Sequence, residues 1–399
     1  MKILHANISQ NGGGLEQYLY QLFQELNHLN YENLFLYGQA SDNSLRLPYS
    51  KSFFIDGITH YSLGNKRAKL KQVLEIISNE NPDIVLIHQV LNPDLIEILT
   101  SKKPSIRFIH DLKLICPDGR KILSTKGKLC QFPLGISCQY HAYLYRCMPR
   151  NPIIGIPLIL HSKKTRQLHR SRSRMIVAGN FMKSILLTNG FSADQIDILP
   201  YFTYIPKDEK KISDHISPRI LFAGRVVKEK GLIYLLNAIS RIRNGLKLIV
   251  AGDGPELNEM KTAADRLKIS SRVSFKGWLP HAELEKCFQD CSFLVIPSIW
   301  PEPFGIVGIE SMAHGKPVIA FNVGGISDWL EDGETGFLIQ PKDIDNLTKK
   351  MEFLIDNPDI AQDMGKKGFN RVLDNYLPDT HVSGLTKVFQ KAIDFFHSK

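Results

Sequence analysis

The chain has 399 residues, 43% hydrophobic and 23% charged, a composition that argues for two or three folded domains and excludes wholesale disorder. Met1–Asn7, MKILHAN, holds too little apolar sequence for a secretory leader, and the apolar run Pro152–Leu160 is too short to span a bilayer. The formal charge of +10 lies wholly in residues 1–200, where 24 Lys and Arg face 14 Asp and Glu, which points to an anionic partner: a membrane surface, a nucleic acid or a phosphorylated substrate.

Both halves begin alike. Ile3–Ala6 reads as a strand, Gly12-Gly13-Gly14 as a loop, and Leu15–Asn27 as an amphipathic helix with Leu15, Leu19, Leu22, Phe23 and Leu26 at helical spacing. Strands are predicted at Leu34–Tyr37, Ile84–His88, Ile106–Ile109 and Met175–Ala178. The second half repeats the opening with strand Ile220–Ala223, loop Gly224–Lys230 and helix Leu232–Ile242. Strands follow at Leu246–Ala251, Val273–Phe275, Phe293–Ile296 and Pro317–Ala320, and a last helix at His381–Phe396. Strands alternating with helices predict an α/β protein with parallel sheets and right-handed crossovers. The polar segment Lys207–Pro218, KDEKKISDHISP, reads as a linker. The expected division is therefore 1–206, linker 207–218, 219–378, and a terminal helix within 379–399. In such sheets ligands bind beyond the carboxyl ends of the strands.

Candidate chemistry clusters at those ends. In Trp300–Met312, WPEPFGIVGIESM, Pro301 and Pro303 hold the chain extended, and Phe304 or Gly305 opens a helix. Glu302 then sits in the loop and Glu310 about two turns into the helix. The free N–H groups of Gly305, Ile306 and Val307 form an anion site between them. The other reading is a proline-rich turn with solvated glutamates. In Gly224–Gly231, GRVVKEKG, Arg225 offers a planar fork to phosphate and Lys230 a point charge; a solvated basic loop is the alternative. Gly252-Asp253-Gly254-Pro255-Glu256 is either a ligand loop or a tight turn. His110, ending the strand Ile106–Ile109, and His88, ending another, are either cleft groups or structural histidines. Gly12–Gly14 allows close backbone approach to a ligand, or is a simple turn.

Taken together, Gly12-Gly13-Gly14-Leu15-Glu16, His110-Asp111, Gly224-Arg225…Lys230-Gly231, Gly252–Glu256 and Glu302…Glu310 resemble family 4 of the retaining glycosyltransferases. The resemblance covers essentially the whole chain and is strongest from Ile220 to Leu338. It implies the GT-B architecture, two Rossmann-like domains facing a central cleft, with the final helix returning to the amino-terminal domain. It further implies that Arg225 and Lys230 hold the diphosphate of a nucleotide sugar, and that Glu302 meets the sugar. Phe304, Gly305, Ile306 and Val307 would lie near sugar and phosphates, and Glu310 would bind ribose hydroxyls. Gly13 and Gly14 would approach the phosphates, and His110 would hydrogen-bond the sugar near the reacting carbon. Pro200-Tyr201-Phe202 departs from the Asn-Gly of many relatives, and Ser327-Asp328 from their Pro-Glu.

Cys116, Cys130, Cys138 and Cys147 fall within 32 residues, without a CxxC knuckle. They are either free thiols or, as in cysteine-bearing insertions of some relatives, a structural zinc set. The implied chemistry itself needs no metal or cofactor.

The resulting expectation is a retaining transferase that moves a sugar to a hydroxyl of a glycan or lipid-linked acceptor, with no role for nucleic acid. A nucleotide-sugar epimerase and a non-catalytic nucleotide-sugar binder are the alternatives. The enzyme would be cytoplasmic, with peripheral attachment to a membrane. From Asn151 to Arg174 a short apolar stretch precedes six Lys and Arg with no acidic residue. That segment is either a solvated helix or an interfacial one, with Lys163, Lys164, Arg166, Arg170, Arg172 and Arg174 facing anionic headgroups.

Overall fold

A computed structural model describes residues 1–9, 14–39, 47–59, 67–206, 218–242 and 245–398. The chain divides into two compact units, Met1–Tyr201 with Asp379–Lys399, and Phe202–Pro378. Apart from Pro218, the linker sequence lies outside the described residues.

The first unit runs β1 (Lys2–Ser9), α1 (Gly14–His28), β2 (Glu32–Gln39), β3 (Lys51–Phe54), α2 (Arg67–Glu80), β4 (Ile84–Ile87), α3 (Pro93–Lys102) and β5 (Ser105–Ile109). It continues through a two-stranded ribbon, β6 (Ile122–Leu123) and β7 (Lys128–Leu129), then α4 (Ser137–Tyr145), α5 (Pro152–Arg172), β8 (Arg174–Val177), α6 (Asn180–Thr188) and β9 (Ile196–Ile198). The main sheet is parallel, in the order β3-β2-β1-β4-β5-β8-β9. Its central strands are buried on both faces; Ile84–Ile87 and Ser105–Ile109 carry no exposed residue. That is why they read as unbroken apolar runs rather than alternating ones.

The second unit contains β10 (Arg219–Ala223), α7 (Leu232–Arg241), β11 (Lys247–Ala251), α8 (Leu257–Arg266), β12 (Val273–Gly277), α9 (His281–Asp290) and β13 (Phe293–Ile296). Then come α10 (Ile306–Ala313), β14 (Val318–Phe321), β15 (Gly336–Ile339), α11 (Ile344–Asp356) and α12 (Pro358–Asn375). Its sheet is also parallel, in the order β12-β11-β10-β13-β14-β15. The last helix, α13 (Pro378–His397), belongs to the first unit. There the Tyr18 hydroxyl and His381 Nε2 are 2.9 Å apart, and Lys391 pairs with Asp197 at 2.6 Å.

Both sheets are thus doubly wound Rossmann-like layers, as expected. In each, strand order reverses beside the first strand: between β1 and β4, and between β10 and β13. Loops leaving the two strands at such a reversal diverge to opposite faces and open a crevice at the carboxyl edge. In the second unit those loops are Gly224–Gly231 and the segment from Pro297 to Gly305. The predicted chemistry sits on both.

Candidate functional site

The loop after β10 is held by backbone contacts that only glycine permits. Gly224 donates its N–H to Ala251 O at 3.0 Å, and Val226 donates to Asp253 O at 2.8 Å. Gly252 and Gly254 both have φ of +159°, and a Cβ on them would come within 1.9 Å of Gly224 O and 2.4 Å of Val226 O. These two glycines therefore let the β11 loop clamp the β10 loop, a structural duty that fits the tight-turn reading. Gly231, at φ +67°, lies against Pro297, where a Cβ would reach the carbonyl oxygen at 2.0 Å. The start of α7 is thereby pressed onto the segment after β13.

That contact brings Lys230 and Glu302 together. Lys230 Nζ donates to Glu302 Oε1 at 2.6 Å, and Ser298 Oγ donates to the same oxygen at 2.6 Å. The Glu302 side chain is 5% exposed and the Lys230 side chain 28%. A buried carboxylate must be paired and hydrogen-bonded, and this one is. Its backbone is gripped as well: Gly325 donates its N–H to Glu302 O at 2.7 Å, and a Cβ on Gly324 would stand 2.2 Å from that oxygen. The Arg225 side chain, by contrast, is exposed and makes no hydrogen bond or ion pair with the described residues.

The helix after β13 begins one residue later than expected. Gly305, at φ +91°, is its cap, and Ile306 its first residue, so Glu310 lies little more than one turn in rather than two. Gly308 abuts the Trp329 ring, which a Cβ would approach to 2.0 Å, and Trp329 Nε1 donates to Phe304 O at 2.7 Å. Phe304 is buried, while Gly305, Ile306 and Val307 are partly exposed at the amino end of α10. Burial first, then the charge of Glu285, raises the Glu310 carboxyl to about 7.

In the first unit, Gly13 lies outside the described residues, and Gly14 is the exposed first residue of α1. His110 ends a chain of hydrogen bonds whose direction can be worked out. Asn27 donates its amide to Pro48 O, so its Oδ1 accepts from Asn33 Nδ2 at 2.8 Å. Asn33 Oδ1 then accepts from His5 Nε2–H at 3.0 Å. Burial holds His5, His88 and His110 well below the ordinary imidazole range, His5 to about 3, so each ring carries one proton. With His5 protonated on Nε2, His88 Nε2–H donates to His5 Nδ1 at 3.3 Å, and His110 Nε2–H donates to His88 Nδ1 at 2.9 Å. His110 Nδ1 is left as acceptor and takes the Tyr201 hydroxyl at 2.6 Å. His88 and His110 are therefore joined in one network. Sequence reasoning passed over His5, Asn33 and Ser298, and saw Tyr201 only as a departure from relatives.

The four cysteines converge without forming a metal set. Cys116, Cys130, Cys138 and Cys147 line one cavity of about 20 Å³ together with His141, room for about one water. Among the described residues, no three His, Cys, Asp or Glu side chains are arranged to hold a metal ion. Burial, then the neighbouring Cys116 and Cys130, pushes the Cys147 thiol up to about 11. The structural-zinc expectation is not supported; all four are free cysteines.

Residues 206–371 match the sequence pattern of the family described as Glycosyl transferases group 1. This part of the chain resembles a group 1 glycosyl transferase domain. The domain thus includes Arg225, Lys230, Glu302 and Glu310. The chain is 35% identical over 130 residues to an uncharacterized glycosyltransferase, MJ1607, of Methanocaldococcus jannaschii, across 32% of this chain and 33% of that protein. It is 27% identical over 258 residues to a lipopolysaccharide 1,2-N-acetylglucosaminetransferase of Salmonella typhimurium, across 58% of this chain and 66% of that protein. The chain thus spans about a third of the first relative's length and about two thirds of the second's. The fold extends the likeness: the structure of Anabaena Alr3699/HepE in complex with UDP-glucose superposes with a TM-score of 0.71 over 100% of both chains, at 17% identity. That likeness is one of fold, and the fold is GT-B.

Proposed function

We propose that the protein is a retaining glycosyltransferase that moves a sugar from a nucleotide diphosphate sugar to a hydroxyl of a glycan or lipid-linked acceptor. The observation that carries this reading is the Lys230–Glu302 pair at the strand-order reversal of the group 1 domain. The Salmonella relative's name places that protein in lipopolysaccharide synthesis, and the Anabaena structure holds UDP-glucose. Both support a nucleotide sugar as donor and cell-surface polysaccharide or glycolipid synthesis as the setting. The +10 charge of residues 1–200 supports work as a peripheral protein on an anionic membrane surface.

The roles follow from the geometry of each group. The Lys230 ammonium has three N–H donors and gives one to Glu302, leaving others for a diphosphate. Arg225 adds a planar fork, and the amino end of α10 adds the N–H groups of Ile306 and Val307. As the bond from the sugar's anomeric carbon to phosphate oxygen breaks, the charge on the leaving group is met by groups already in place. The acceptor oxygen bonds to that carbon from the same face, and its proton passes to the departing phosphate. Glu302, oriented by Ser298, takes sugar hydroxyls, and Glu310 takes those of ribose. His110 can offer a hydroxyl only an acceptor, Nδ1, which holds the Tyr201 hydroxyl.

The test is to incubate the protein with candidate nucleotide sugars, with and without glycan acceptors, and to measure free nucleotide. Acceptor-stimulated release is expected; tight binding without any release would make the chain a non-catalytic nucleotide-sugar binder.

Glu310 adds a pH signature. A carboxyl near 7 is partly protonated at neutrality, whereas ribose hydroxyls donate to its ionised form and pull its proton off. Nucleotide affinity should therefore fall as pH drops below about 7, and binding at pH 7 should release protons. Calorimetry in buffers of different ionisation enthalpy reads this directly; Glu310→Gln should abolish the proton release. Equal proton release from that variant would remove Glu310 from the ribose site.

With Arg225 and Lys230 supplying the positive charge, EDTA should leave turnover unchanged. Loss of activity on chelation, restored by magnesium or manganese, would contradict this division of labour.

A further inference from the structure

The expected lipid-facing cations from Lys163 to Arg174 are largely spent inside the first unit. Lys164 pairs with Asp94 at 2.8 Å, and Arg174 with Asp197 at 2.7 Å. Arg166 donates to Leu134 O at 3.0 Å and Arg172 to Glu97 O at 3.5 Å. What remains free of such contacts is the other end of the helix. Of the nineteen exposed large hydrophobic residues among the described ones, nine fall between Phe132 and Leu160, far more than a stretch of that length carries by chance.

Their spacing makes them faces rather than scatter. Ile136, Tyr140, Tyr143 and Leu144 recur at helical intervals along α4, with Tyr140 64% exposed. Ile153, Ile156 and Leu160 do the same along the first turns of α5, with Ile153 81% exposed, while Gly155 and Ile159 face inward. The two helices meet where Gln139 Nε2 donates to Arg150 O at 2.9 Å, beside Gly155, whose missing side chain lets Gln139 approach. Exposed Arg146 and Arg150 stand between the two faces. No acidic residue occurs from Gly119 to Ala193, a stretch that holds 13 Lys and Arg. Isoleucines, tyrosines and arginines on one unpartnered surface, with no negative charge near in sequence, match the boundary layer of an anionic bilayer.

We propose that the exposed faces of α4 and the amino-terminal half of α5 form a docking surface for anionic lipid. Ile153, Ile156 and Leu160 enter the acyl boundary, Tyr140 and Tyr143 lie at headgroup level, and Arg146 and Arg150 meet the phosphates. The proposal rests on the membrane reading above and replaces those cations with a defined face.

The experiment is cosedimentation of the full chain with phosphatidylglycerol and with phosphatidylcholine vesicles, at low and high salt. Wild type should bind the anionic vesicles in low salt and be released by salt. Ile153→Ser with Tyr143→Ser should weaken binding by roughly tenfold or more, and Arg146→Gln with Arg150→Gln should remove most of the salt-sensitive part. Lys163→Gln with Lys164→Gln should change binding little. All these side chains lie on the surface, so unchanged circular dichroism and donor turnover are expected in each variant. If wild type binds but the Ile153/Tyr143 and Arg146/Arg150 variants bind equally well, the face is wrong while the membrane reading stands. If wild type binds neither vesicle at any salt, both fall. Concentration-dependent dimerisation abolished by Ile153→Ser would assign the face to a second copy of this chain instead and overturn the lipid proposal.

Discussion

Lys230→Ala should lower sugar transfer by two to three orders of magnitude at saturating donor while leaving the fold intact. Lys230 is a fixed cation beside a diphosphate that gains charge as it leaves, and removing such a group costs on the order of 3 kcal/mol of transition-state stabilisation. The same change strips Glu302 of its ion pair and leaves Ser298 as the remaining donor to that buried carboxylate oxygen among the described residues. Lys230→Arg is therefore informative. It keeps the charge but not the reach of a point ammonium, and should recover only part of the activity. Glu302→Ala should be as severe, whereas Glu302→Gln keeps the shape and separates charge from hydrogen bonding. Steady-state kinetics with circular dichroism check all four variants. Near wild-type turnover in Lys230→Ala would remove this lysine from the diphosphate.

The second large effect is on acid stability, and it belongs to the first unit. His5, His88, His169 and His381 are buried there and His110 is half-buried, and all five are held below the ordinary imidazole range, His5 to about 3 and His381 to about 4. Desolvation is the main cause in each case. In the unfolded chain the same rings take up protons near pH 6.5. Below that value the unfolded state binds more protons than the native one, so stability falls as pH drops towards 4. Each ring contributes up to about 1.4 kcal/mol per pH unit. Stability is complete above about 6.5 and lost on the acid side. Hydrogen exchange at pH 5 against pH 7.5 should show protection lost first in β1, β4 and β5, which carry the His5–His88–His110 network or adjoin it. Glu310 acts in the opposite sense, since its raised carboxyl favours the native second unit at lower pH. Equal loss of protection in both units would contradict this assignment.

Much of the fold was legible because central parallel strands are apolar throughout. Ile84–Ile87, Phe293–Ile296 and Val318–Phe321 stand where periodicity places them, within one residue. The missed strands are edge or near-edge elements. Lys51–Phe54 and Ile196–Ile198 terminate the first sheet, and Gly336–Ile339 terminates the second. Lys51–Phe54 and Ile196–Ile198 are short and mixed in polarity, and Gly336–Ile339 is apolar but only four residues long, so little local distinguishes them from loops. The candidate site divides in the same way. Lys230 and Glu302 were visible because the residues around each carry a recognisable motif, although only the fold shows that they touch across 72 residues. The histidine network was invisible. Its links span 28, 83, 22 and 91 residues, and a histidine inside an apolar strand such as KILHANIS announces nothing. The cysteine spacing left free thiols and a zinc set both open, and the fold brings all four thiols to one cavity without a metal-holding group among the described residues.

The most direct test of the account is a thermal-shift panel of nucleotide diphosphates and nucleotide sugars against wild type and Lys230→Ala. A ligand bound at about a hundred times its dissociation constant stabilises the native state by about 2.7 kcal/mol, enough to move a melting midpoint by several degrees. The account predicts that one nucleotide diphosphate and its sugar conjugates raise the wild-type midpoint, that the matching nucleoside alone does so weakly, and that Lys230→Ala loses most of the diphosphate increment. A flat response of wild type across the whole panel, or an equal shift in Lys230→Ala, would contradict it.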